Sequence, residues 1–129
     1  MTEPRWISKA SVLGIHSEQL TEHGGSIGVR DEGLLESALC KSRNVFAYQP
    51  DCDLARLAAS YAYGIARNHP FIDGNKRTAL VVAETFLRKN GIAIVSAPEE
   101  KYFTFLHLAE GTLSEEELAA WFRSHAEHI

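Results

Sequence analysis

The sequence predicts an all-α fold, a bundle of about six helices with one short extended flap. Three observations predict it. Apolar residues recur at three- and four-residue spacing in successive stretches, each preceded by a capping residue and followed by Gly, Pro or Asn. The run Thr78 to Asn90 is apolar almost all round, as expected of a helix buried at the centre of a helical domain. Strand-like alternation is confined to short pieces. With 129 residues, 45% of them hydrophobic, the expected organisation is one domain over 1–129 with a core of its own.

Taken in order, Ser8 can cap a first helix carrying Val12, Leu13, His16 and Leu20 on one face, which stops at Gly24 and Gly25. After a loop to Gly28, Asp31 caps a second helix with Leu34, Leu35, Ala38 and Leu39 at helical spacing. Helical patterning lapses from Lys41 to Cys52, where a proline and turn formers suggest the extended flap. Asp53 then caps a helix with Leu54, Leu57, Ala58, Tyr61, Ala62 and Ile65 on one face, ended by Pro70. Asn90 and Gly91 suit the end of the apolar helix, and Ile92 to Val95 a brief extended connection. Two capping-box starts follow, Ser96 with Pro98 and Glu99, and Ser114 with Glu117. Their core faces are expected to hold Tyr102, Phe105, Leu106 and Ala109, then Leu118, Trp121 and Phe122.

The net charge of -4 argues against direct, non-specific binding to nucleic acid, which needs a concentrated positive patch. Cys40 and Cys52 have no zinc-like spacing with histidine and read as free thiols of a cytoplasmic protein. His16 and His23 read as surface or cap residues rather than ligands. No apolar run approaches the ~18 residues of a membrane span, and the amino terminus shows no signal-peptide pattern.

The chemistry is concentrated in HPFIDGNKRTAL, His69 to Leu80, immediately before and within the apolar helix. Free N–H groups and the positive dipole end of a helix start, with Gly74, Asn75, Lys76 and Arg77, could hold a phosphate. His69 could take a proton from a nucleophile, since imidazole titrates within reach of neutral pH. Taken singly, His69 could merely cap the preceding helix, Phe71 belong to the core and Asp73 be an N-cap. The set is different. Two adjacent cations at a helix start oppose the dipole, by up to about 1 kcal/mol, unless an anion is bound. A nucleotide-binding P-loop is excluded, because the earlier glycine and the preceding strand are missing.

HPFIDGNKR resembles the signature of the Fic/Doc family, whose common adenylylating form reads HPFx[DE]GNGRxxR; the likeness extends through GVRDEGLLESAL before the motif and the buried helix after it. Lys76 stands where the adenylylating members have glycine, and Leu80 where they have a second arginine. The pattern looks like the Doc branch, the death-on-curing toxins of toxin-antitoxin pairs. That resemblance implies transfer of the γ-phosphate of ATP to a hydroxyl of a translation factor, typically elongation factor Tu. It implies His69 as general base, Asp73 as catalytic residue and magnesium ligand, and Gly74, Asn75, Lys76 and Arg77 as the nucleotide-binding set. Adenylylation of a protein hydroxyl is the second reading, and a non-catalytic binding module of the same fold a third.

Many Fic proteins restrain themselves with a helix carrying [ST]xxxE[GN]. Here Glu32 and Glu110 are followed by glycine, but Gly28 and Leu106 stand four residues before them, so the motif is absent. Inhibition is therefore expected in trans, from a cognate, Phd-like antitoxin folding onto an apolar groove walled by the first helix, its following loop, and the segment around Phe46 and Tyr48.

Overall fold

The computed structural model describes residues 2–129. Its elements are α1 (Lys9–His23), α2 (Glu32–Tyr48), α3 (Leu54–Asn68), α4 (Asn75–Lys89), β1 (Ile92–Ile94), α5 (Pro98–Glu110), α6 (Glu115–His125) and β2 (Ala126–His128). The helical class and the six helices are those the sequence predicts. The two short strands pair antiparallel, Ile92 with His128 and Ile94 with Ala126, so the extended connection after α4 gains a partner from the chain's far end.

Four helix starts follow from local capping. Ser8 accepts from the Ser11 N–H, Asp31 from Leu34 and Asp53 from Arg56, while Ser114 and Glu117 form a reciprocal capping box. The fifth differs: Ala97, not Ser96, precedes α5, because Pro98 fixes the first helical position and the Ser96 hydroxyl turns to Ala97 O and Glu100.

The centre of the bundle is α3, not α4 as the apolar run suggests. Helix α3 packs against α2, α4, α5 and α6, and Leu57, Ala58, Ala59, Tyr61, Ala62, Ile65 and Ala66 are fully buried. Its small residues let neighbours approach from every side. At Gly64 an added Cβ would stand 3.1 Å from the Cα and Cβ of Ala38, so α2 and α3 touch almost backbone to backbone.

The expected flap at Lys41 to Cys52 is mostly helix. Helix α2 continues to Tyr48 because Ser42 is buried and donates to Leu57 O at 2.7 Å, while Phe46 packs edge-on against Trp6. The extended segment beside the motif lies earlier in the chain. Val29 bridges Phe71, Ile72 N–H donates to Gly28 O at 3.1 Å, and Arg30 N–H donates to Pro70 O at 2.7 Å.

Two core faces are rotated from expectation. In α1, Val12, Ile15, His16 and Gln19 are buried and Leu13 is exposed. In α5 the buried pair is Phe105 and Leu108, whereas Tyr102 is exposed and Leu106 and Ala109 are only half-buried. Among the described residues, no helix is long and apolar enough to cross a membrane.

Candidate functional site at the start of α4

The loop from His69 to Gly74 is fixed from three directions. His69 ends α3 in the left-handed conformation, φ 49 and ψ 56, the only non-glycine residue with positive φ among those described. Arg30 approaches that helix end, donating from Nε to His69 O at 2.7 Å and from its second guanidinium nitrogen to Asn68 O at 2.8 Å. A cation on the last carbonyls of a helix also opposes the negative end of its dipole.

From the other side, the Asn75 side chain faces the backbone of Phe71. Its Oδ1 accepts from Phe71 N–H and its Nδ2 donates to Phe71 O, each at 3.0 Å. Asn75 was expected in the phosphate-holding set; its amide oxygen and one amide proton are used inside the loop. What it can still offer an anion is its backbone N–H and the second proton of Nδ2.

The third restraint is His16. Its ring is 5% exposed and lies 3.8 Å above Phe71 at an interplanar angle of 10°, and Nε2 donates to Asp73 O at 2.8 Å. The surface role expected for it is therefore overturned, because α1 turns this face onto the motif. His23, in the last turn of α1, stays exposed. The Asp73 carboxylate does not cap α4; Oδ2 accepts from Ser26 N–H at 3.0 Å, and Gly74 is the N-cap. Gly25 permits this approach, since a Cβ there would stand 2.9 Å from Leu20 Cδ2 and 3.3 Å from Asp73 Cβ, at a φ of +126°.

These restraints leave an open cleft of about 380 Å³ lined by His23, Gly24, Gly25 and the run Asp73 to Arg77. No side chain caps α4 and its first turn holds no acid. The first N–H groups of the helix are thus left to a ligand, with Lys76 and Arg77 beside them. Lys76 Nζ lies 5.8 Å above the Tyr102 ring, on the edge of a second groove of about 170 Å³ formed by Lys76, Arg77, Leu80, Lys101, Tyr102 and Phe105. The structure thus brings Asp73, Gly74, Asn75, Lys76 and Arg77 to one cleft. His69 is exposed at the end of α3 and is not among the residues lining that cleft.

Sequence reasoning did not assign Ser26, Arg30 or the inward role of His16. Arg30 sits within GVRDEGLLESAL, a stretch noted only for its likeness; Ser26 carries no local signal, and His16 only its spacing with Val12 and Leu20.

The profile of the Fic/DOC family matches residues 6–87, which takes in the motif and most of α4. The chain belongs to the Fic/Doc family. Among its relatives, "Protein kinase doc" of Escherichia phage P1 is 37% identical over 95 residues, covering 74% of this chain and 75% of that protein. "Toxin Doc" of Mycolicibacterium smegmatis is 40% identical over 74 residues, 57% of each chain. "Protein adenylyltransferase Fic" of Drosophila persimilis is 44% identical over 55 residues, which cover 40% of this chain and 11% of that protein. Likeness to the Doc proteins therefore runs through much more of the Fic/Doc fold than likeness to the adenylyltransferase.

Proposed function

We propose that residues 1–129 form a single Fic/Doc domain acting in the cytoplasm as a Doc-type toxin, a protein kinase that moves the γ-phosphate of ATP onto a hydroxyl of elongation factor Tu. The observation that carries this reading is Lys76 at the uncapped start of α4, where the adenylylating signature has glycine, with Leu80 in place of the second arginine. Adenylyl transfer requires the two outer phosphates to be gripped deeper in the site, the work that signature gives to the second arginine. Leu80 offers an apolar, half-buried side chain instead.

The γ-phosphate seats on the free N–H groups of Gly74 to Arg77, and the Lys76 and Arg77 cations offset charge that grows on the transferring group. His69 accepts the proton of the target hydroxyl as its oxygen attacks in line and ADP leaves. Asp73 fits magnesium, because its exposed carboxylate spends one oxygen on the Ser26 N–H and leaves the other to the cleft. One carboxylate plus phosphate oxygens and water suits that ion, which would supply positive charge against the phosphates there.

A toxin of this kind is held in check in trans by an antitoxin. Of the proposed docking wall, Phe46 is half-buried against Trp6 and Tyr48 is 88% exposed.

The test is transfer to elongation factor Tu with ATP labelled at either end. Label from γ-ATP alone is expected. Label from α-ATP would assign adenylylation, and no label with a surviving complex would leave a binding module.

A further inference from the structure

His16 reaches the motif from α1, 57 positions earlier in the chain than Asp73. A buried aromatic side chain alone would satisfy the packing on Phe71. The imidazole does more, since Asp73 O can only accept, so Nε2 carries the proton and donates. The ring also lies flush with the turn: a Cβ at Gly74 would stand 3.8 Å and 3.9 Å from His16 Cδ2 and Nε2.

The carbonyl that His16 holds and the N–H of Gly74 belong to one planar trans peptide, so they point in opposite directions. Drawing the carbonyl towards His16 aims the Gly74 N–H away from it, while Gly74 itself lines the cleft. The same residue is tied at its side chain, where Asp73 Oδ2 accepts from Ser26 N–H. Asp73 is thus held at its backbone by α1 and at its carboxylate by the following loop.

We propose that His16 is a positioning residue that sets the plane of the Asp73–Gly74 peptide, and with it the first phosphate donor of α4 and the Asp73 carboxylate. It touches no reacting atom. Its contribution is to hold the donor in place before the nucleotide arrives, so that binding need not order the turn.

Two substitutions separate the bond from the packing. His16→Phe keeps a ring on Phe71 and removes the donor, whereas His16→Gln loses the ring and can place an amide nitrogen near the position of Nε2. For His16→Phe, the expected result is a KM for ATP raised about tenfold, the effect of one lost hydrogen bond. Exchange of the Ser26 amide should be faster, with the unfolding midpoint little changed. His16→Gln should restore most of both. A folded His16→Phe protein with unaltered KM and Ser26 exchange overturns the proposal. So does a KM in His16→Gln raised about tenfold or more over wild type, since a donor at that place would then do nothing without the ring; this arm is read against wild type and stands even if the Phe variant fails to fold. The activity arm rests on the kinase reading, but the exchange arm does not. In a wild-type chain that transfers no phosphate, faster Ser26 exchange in His16→Phe, restored by Gln, still upholds the positioning role, and unchanged exchange overturns it.

Discussion

Asn75 and Phe71 are joined by a pair of hydrogen bonds, amide to backbone, that closes the motif loop onto the first residue of α4. Phe71 is fully buried, so nothing else can satisfy its N–H and carbonyl if the amide is lost. Leaving buried backbone groups unpaired costs roughly 1–3 kcal/mol each. Asn75→Ala should therefore lower unfolding stability by about 2–6 kcal/mol. Asn75→Asp should do no better, since it sets a carboxylate against the Phe71 carbonyl. Urea unfolding checks this, and stability of the Ala variant within about 0.5 kcal/mol of wild type would exclude a bracing role.

His69 combines an exposed side chain with a strained backbone. Its removal should abolish transfer without unfolding the protein, a fall of about 10²–10⁴-fold for a lost general base. Glycine and alanine should then part company in stability. Gly has no Cβ to strain at φ 49, so His69→Gly should be more stable than His69→Ala by about 1 kcal/mol. Equal target labelling by wild type and either variant would end the assignment of His69 as base.

Glu115 ties α6 to α2 and α3, accepting from Lys41 and Ser60 at 3.0 Å each and pairing with Arg56. Burial alone would push its carboxyl up, but the Lys41 ammonium, the Ser60 hydroxyl and the Arg56 guanidinium together outweigh it and hold the group below the usual carboxylate range. A depressed folded value gives stability that is complete above the unfolded value, about 4.3, and is lost as pH falls through the folded one. Glu115→Gln should thus cost about 1–3 kcal/mol at pH 7, with the gap to wild type narrowing below about pH 4. Denaturant titrations at several pH values test it, and a gap independent of pH would assign the loss to packing.

The sequence by itself determined the helical class, the caps at Ser8, Asp31, Asp53 and Ser114, and the run from Asp73 to Arg77 that lines the cleft at the start of α4. Each rests on neighbours within a few residues, where spacing and capping chemistry act directly. Only the tertiary structure decided that α3 is the core helix, because its small residues let α2, α4, α5 and α6 all pack against it. It alone decided that Ala126–His128 pairs with Ile92–Ile94, and that the extended segment is the one bridging Phe71. It also set the His16 ring on Phe71 and Asp73, where spacing put it only on the apolar face of the first helix, and turned the Asn75 amide onto Phe71. The direction of a side chain is set by what its element packs against, and for His16 that partner lies 57 positions along the chain, beyond the reach of any local pattern.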